Sequence, residues 1–137
     1  MANEAVLRDN KILVSRRYTC ATSTGIAKGT YLKNADLHTA SASTGTGDDF
    51  IGFAHADVNE STDSEFNTDT SITADKGAMY ELVASGAILV NSYVKTAAPG
   101  NMVMEMSIAD MTSYGIIVGI AREAATDGET INVEVLA

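Results

Sequence analysis

Tryptophan is absent from this 137-residue chain, proline and cysteine occur once each, and aromatic residues make up only 6% of it. A lone Cys20 cannot form an internal disulfide. It fits a protein made in a reducing compartment, as a small packed residue rather than a reactive nucleophile. The missing tryptophan and the scarce rings argue against a surface that stacks on sugars. No run of 18 apolar residues exists, so nothing is expected to span a membrane. Residues 1–5 lack a basic region followed by an apolar core, so no signal peptide is expected.

Basic charge is scarce beyond residue 33. Residues 1–33 carry Arg8, Lys11, Arg16, Arg17, Lys28 and Lys33 against Glu4 and Asp9, whereas residues 34–137 carry three bases against sixteen acids. The formal net charge is −9. An acidic body repels phosphate, so direct nucleic-acid binding is not expected. The basic N-terminal segment either meets an acidic partner surface or offsets the charge of its own body.

What is present is the alternation and turn chemistry of an all-β chain, organised around its last third. Gly115 to Ala121 is apolar on both faces, as a core strand is, and Gly115 and Gly119 mark a bulge or the close approach of another backbone. After a turn around Asp127 and Gly128, Ile131, Val133 and Val135 alternate with Asn132 and Glu134, the period of a half-buried strand. An earlier block, Phe50-Ile51-Gly52-Phe53-Ala54, matches Ile117-Val118-Gly119-Ile120-Ala121 class by class. Each block follows a Gly-led segment, Gly29 to Leu32 and Gly100 to Val103. The match is either chance or the trace of two related halves, 26–95 and 97–137, within one β domain (18–137) preceded by an extended N-terminal arm (1–17). The expected fold is all-β, a small barrel or sandwich of seven to ten short strands. Its expected core is Ile51, Phe53, Leu82, Ile88, Val118, Ile120, Ile131, Val133 and Val135.

Between these blocks, residues 39–49 are small and polar and read as a mobile surface loop. Gly45 and Gly47 lack the Gly-Lys-Ser/Thr ending of a phosphate loop and are followed by Asp48 and Asp49. Residues 57–71, with Asp57, Glu60, Asp63, Glu65 and Asp69, read as a solvated acidic loop or a calcium site, without the spacing of a helix-loop-helix site. Residues 79–84 and 87–94 flank Ser85-Gly86 as a tight hairpin or one bulged strand. Ser107 to Met111, with Ser107 as N-cap, and Arg122 to Ala125 are the plausible helical turns. The two histidines, His38 and His55, stand in no Ser-His-Asp order, no Cys-His pair and no His-x-His spacing. No catalytic residue, metal site or cofactor is therefore expected, and the chain reads as a protein other than an enzyme. His55, which aligns with Arg122, reads as a surface position. The methionine-rich face of Met102, Met104 and Met106, with Tyr93 and Val94, is the expected oligomer interface.

The run from Gly115 to Leu136 reads apolar-apolar-Gly-apolar-Ala-Arg-Glu-Ala-Ala, then Asp127-Gly128-Glu129, then alternating valine and isoleucine. It resembles the capsid cement, or head decoration, proteins of tailed bacteriophages. The Ile51 to Ala54 and Lys76 to Leu82 blocks resemble that family's middle region, so the resemblance spans residues 26–137. The inserts at 39–49 and 57–71 and the basic arm depart from it. The resemblance implies a structural virion protein, a homotrimer made in the host cytoplasm, that binds the major capsid protein on the capsid exterior and stabilises the shell. It implies no contact with nucleic acid or membrane. On that reading the arm is the capsid anchor. Asn3, Ala5, Val6 and Leu7 add to a strand edge on the shell, and Arg8, Lys11, Arg16 and Arg17 pair with capsid carboxylates. A head-tail joining or tail-tube virion protein of similar β build is an alternative, as is a small ligand-binding β barrel.

Overall fold

The computed structural model describes residues 3–8, 14–20, 25–97 and 101–136. Among them every regular element is a strand or a short 3-10 turn. Eleven strands occur where seven to ten are expected, because the edge piece β1 (Val6–Leu7) and the short β5 (Gly52–Ala54) count as strands of their own. The others are β2 (Val14–Cys20), β3 (Tyr31–Asp36), β4 (Thr39–Ala42), β6 (Ser71–Lys76), β7 (Met79–Val83), β8 (Tyr93–Ala97), β9 (Met102–Glu105), β10 (Ile117–Ala121) and β11 (Thr130–Val135). Their sequences alternate, as half-buried strands do: β11 is buried at Ile131, Val133 and Val135, and β7 at Tyr80 and Leu82.

Strands β2-β4-β3-β5-β6 close into a five-stranded barrel, and β1-β7-β11-β10-β8-β9 form a six-stranded sheet. Apart from β1, the two share one strand arrangement. Parallel pairing of Cys20 with Ala40 closes the barrel, and a single parallel bridge from Ala84 to Val103 brings β9 back to the end of β7. Leu32 faces Gly52 and Tyr31 faces Phe53 in the first half; Val94 faces Gly119 and Tyr93 faces Ile120 in the second. Phe53 lies opposite Asp75, as Ile120 lies opposite Glu134. The bridge Ile26–Val58 recurs as Ile88–Ala125. Even the left-handed residue before each Tyr-bearing strand recurs, as Gly29 (φ 85°) and Asn91 (φ 65°).

The equivalent strands are therefore β2 and β7, β3 and β8, β4 and β9, β5 and β10, β6 and β11. The halves meet between β6 and β7, not at residues 95–97. Gly52 and Gly119 do occupy equivalent registers, but the counterpart of Gly29 is Asn91; Gly100 lies outside the described residues. The offset drifts because the loops differ in length: eight residues separate β10 from β11, and sixteen separate β5 from β6.

Two apolar cores result. Ile26, Leu32, Ala40, Ala54, Val58, Ile72 and Ala74 fill the barrel. Their counterparts Ile88, Val94, Val103, Ala121, Ala125, Ile131 and Val133 lie in the core of the sheet. Tyr31, Phe50 and Phe53, from the outer face of the barrel, join this second core. Phe53 meets Tyr31 edge-on at 4.9 Å between ring centroids, Phe50 at 5.0 Å and Tyr80 at 4.5 Å. The barrel wall thus plugs the gap between β7 and β9, where a single bridge leaves the sheet open.

Several expectations give way. Ile51 and Ile120 are half-buried, because Ile51 packs on the margin of the barrel core and Ile120 takes the outward side of β10. β7 and β8 are not a hairpin, since each pairs with other strands. Arg122 to Ala125 is not helical but a bend that ends in the Ala125 bridge. The turn expected at Ser107 is present as a 3-10 segment, Ile108–Thr112, whose Asp110 accepts hydrogen bonds from the Ser107 N–H and hydroxyl at 2.8 and 3.0 Å. Residues 11–13 and 98–100 lie outside the described residues.

Gly119 is the tightest point of the second half. A Cβ there would collide with the Glu134 carbonyl oxygen of the neighbouring strand, and the pairing of β10 with β8 shifts register between Ile117 and Gly119. Gly119→Ala should lower unfolding free energy by about 3 kcal/mol, because the obstacle is backbone. Gly128→Ala, where φ is 85° and a Cβ meets nothing within 4 Å, should cost only about 1 kcal/mol. Urea melts of the two variants check this, and equal losses would overturn the assignment of Gly119 to a close backbone approach.

Candidate interaction surfaces

The N-terminal segment is built into the chain's own fold. β1 pairs with β7 through Val6–Glu81 and Leu7–Tyr80, and the Arg8 N–H donates to the Met79 carbonyl at 2.7 Å. On its other flank the Ala5 N–H donates to the Gly29 carbonyl at 2.8 Å. The strand approaches Gly29 so closely that a Cβ there would collide with Ala5. Ala5 and Leu7 pack on the core. Residues 4–8 therefore strap the barrel to the sheet, and their apolar side is occupied. Asn3, Val6 and Arg8 remain exposed, Arg8 in an ion pair with Glu81 at 2.8 Å. Lys11 lies outside the described residues. Arg16 and Arg17 are exposed, but on barrel strand β2 rather than on an arm, and the Arg17 guanidinium donates to the Ser71 hydroxyl at 3.0 Å.

Beside the strap lies a cleft floored by Phe53, Ala54 and Tyr80, with His55 and Asp75 at its mouth. The nearly buried Asp75 carboxylate accepts the Ser15 hydroxyl at 2.5 Å and bonds His55 Nδ1 at 2.5 Å. The serine proton is thus held by the carboxylate and not by the imidazole, which is not the order of a nucleophile and its base. The second half repeats the pair in other residues: Arg122, the counterpart of His55, donates to Glu134, the counterpart of Asp75, at 2.7 Å. His55 is exposed as its alignment with Arg122 implies, but the buried partner is missed. The signal lay in Ser71-Ile72-Thr73-Ala74-Asp75 read against Thr130-Ile131-Asn132-Val133-Glu134.

Of the expected oligomer residues, Tyr93 is 37% exposed and Val94 is fully buried, since adjacent strand residues point to opposite sides. Met102 and Met104 are half-buried and Met106 is nearly buried. Tyr93 and Met106 instead line a groove with Asn91, Ser92, Ile108 and Met111. Ile108 is 93% exposed, and Leu89 and Val90, in the turn before Tyr93, are 68% and 53% exposed. This apolar cluster was not anticipated, because it joins a turn, a strand and a 3-10 segment that are separate in sequence.

The stretch expected as a mobile loop is pinned. Thr39 to Ala42 is strand β4. Asp48 then accepts the Ser43 hydroxyl at 2.9 Å, the Thr44 N–H at 3.0 Å and the Gly45 N–H at 2.8 Å, while its own N–H donates to the Thr96 hydroxyl at 3.2 Å. In the stretch 57–71, Asp57 accepts the Lys28 N–H at 2.7 Å, and Asp69 donates its N–H to the Asn59 side chain at 2.9 Å. Among the described residues no three His, Cys, Asp or Glu side chains gather as a metal requires.

Partial burial pushes the Asp48 pKa up, but the hydrogen bonds from Gly45, Ser43 and Thr44 and the charge of Lys33 outweigh it and hold the group below the usual carboxylate range. Asp110 is held lower still, at about 2, by the bond from the Lys95 ammonium and those from Ser107. In both groups the folded pKa lies below the unfolded value. Their stabilisation is therefore complete above about pH 4 and is lost as pH falls through the folded pKa. Asp48→Asn should flatten the dependence of stability on pH below about pH 4, as read by thermal melts at stepped pH. An unchanged slope would overturn this role.

No family model and no curated protein sequence matches the chain. Among solved structures it is similar to the N base of the head fiber protein gp8.5 of bacteriophage phi29. The TM-score is 0.50 and the identity 16%, over 89% of this chain and 92% of that one. At that identity the likeness is one of fold.

Proposed function

We propose that this chain is a structural virion protein of a tailed bacteriophage, seated as a homotrimer on the outer surface of the capsid, where it binds the major capsid protein and reinforces the shell. The observation that carries the reading is the shared fold, over nearly the whole of both chains, with the base of a phage head fiber. The residues support it in kind. The conspicuous features are surfaces: an exposed apolar groove at Tyr93 and Ile108, and exposed Val6, Arg8 and Arg17 at strands β1 and β2. Shell binding belongs to the basic N-terminal segment, where residues 1–33 carry six bases against two acids. Since Ala5 and Leu7 are occupied by the chain's own core, the contact falls to Val6, Arg8 and Arg17, with Lys11 from the segment between β1 and β2. Three copies held together multiply such modest contacts through effective concentration.

The test is co-sedimentation of the purified chain with undecorated particles. The triple variant Val6→Ser, Arg8→Ser, Arg17→Ser alters exposed side chains and sets no new carboxylate beside Glu81. It should keep the wild-type melting temperature, bind particles at least about 10-fold more weakly, and lose the salt dependence that rim charges impose. Equal binding by the variant would remove this surface from the docking role. Failure of the wild-type chain to bind particles would end the virion reading.

A further inference from the structure

We propose that the cleft beside the strap receives one aliphatic side chain from an extended segment of the major capsid protein, while the backbone of that segment pairs with Leu7. This rests on the proposed shell contact and deepens it by naming what the shell presents.

The strap has a strand edge that its own chain leaves open. Along β1 the backbone groups of successive residues turn to opposite sides. The Arg8 N–H donates to the Met79 carbonyl at 2.7 Å, so Arg8 and Val6 turn their groups to β7. Ala5 and Leu7 therefore turn theirs the other way, toward the barrel. There the Ala5 N–H is satisfied by the Gly29 carbonyl at 2.8 Å. Leu7 comes next on that side and lines the cleft. Its side chain packs on the core, but its N–H and carbonyl meet no partner among the described residues. An open donor and acceptor on a half-buried strand form a template for another extended chain.

The cleft sets the chemistry of that chain. Phe53, Ala54 and Tyr80 floor it, and Ala5 and Leu7 wall it on the strap side. Its volume is about 120 Å³. An apolar cavity of about 150 Å³ holds benzene, and sites for drug-sized ligands start at about 300 Å³. The cleft thus fits one branched aliphatic side chain and little more. A residue paired with Leu7 lies on the same side of the sheet as Leu7 and enters the cleft. Its neighbours in the segment emerge beside the exposed Val6 and Arg8 side chains, which already belong to the proposed shell contact. Charge narrows the choice further. Exposed Lys28 stands at the rim, and the lining carboxylate, Asp75, is taken up by Ser15 and His55. With Arg8 alongside, the site favours an acidic residue next to the aliphatic one. A second copy of this chain fits poorly. The closed barrel has no edge to offer, and β9, at the sheet's other margin, already receives the Ser85 N–H on the Val103 carbonyl at 2.7 Å.

NMR titration of the full chain with the capped tripeptide acetyl-Glu-Leu-Ser-amide tests the cleft without particles. The amide signals of Leu7, Gly29 and His55 should shift and saturate with a dissociation constant of about 1 mM. Nuclear Overhauser contacts should join the leucine methyls to the Phe53 and Tyr80 rings. Acetyl-Glu-Ser-Ser-amide should bind at least about 10-fold more weakly. A chain carrying N-methyl-leucine at position 7, assembled by ligation at the single cysteine Cys20, keeps every side chain and loses one N–H. It should melt as wild type does and bind both peptide and particles at least about 5-fold more weakly. A lower melting temperature would place that N–H in the chain's own ladder and overturn the open edge. Equal binding of the two peptides, shifts gathered at Tyr93 and Ile108 instead, or particles bound equally by both chains would each overturn the proposal. A wild-type chain that takes up the leucine peptide but ignores particles would keep the cleft's chemistry, overturn the shell as its source and end the virion reading.

Discussion

The structure depends on exclusion of water from one place, the contact of Phe53 with Tyr31, Phe50 and Tyr80. The sheet of the second half is joined between β7 and β9 by a single bridge at Ala84, so its apolar interior lies open beside Tyr80. The first barrel's outer wall supplies the missing side. Its rings meet edge-on or tilted, arrangements worth about 0.5–1.5 kcal/mol per pair beyond the area they bury. Burial also pushes the Tyr31 hydroxyl pKa far up, so the group stays neutral inside the contact. Neither half has a complete core without the other, and the strap of residues 4–8 clamps both at this junction.

The duplication explains details that look arbitrary singly. Gly52 and Gly119 both sit where the next strand's backbone comes close. His55 with Asp75 and Arg122 with Glu134 tie corresponding strand pairs across corresponding positions. The partners differ because the settings differ: Asp75 is buried beside the strap and the barrel wall, whereas Glu134 is about half exposed on a face that nothing among the described residues covers. A long guanidinium reaching a solvated carboxylate suits the open face, and a shorter imidazole suits the enclosed one.

Apolar exposure follows the same division. The first half buries its apolar outer face inside the molecule. The second half leaves its corresponding face outward, with Leu89, Val90 and Ile108 added around it. Surface of this kind is the physical basis of the proposed role as a part of an assembly.

The sequence by itself determined the all-β class, the inward residues of β11, the cramped glycine at 119 and the turn capped by Ser107. Each of these depends on neighbours close in the chain: alternation, a missing side chain, a cap one residue before its turn. It also held the repeat, but only locally. The offset between halves drifts with the loops, from 64 residues at β2 and β7 to 59 at β6 and β11, so the shift that aligned Gly52 with Gly119 and His55 with Arg122 did not carry over to the other strands. Only the tertiary structure decided that residues 4–8 are a strap, that Asp48 pins a polar stretch, that Val94 is core while Tyr93 is surface, and that Asp75 is the buried partner of His55. Those outcomes depend on which strands become neighbours, and pairing between segments tens of residues apart is set by the closure of the whole sheet, which no local pattern records.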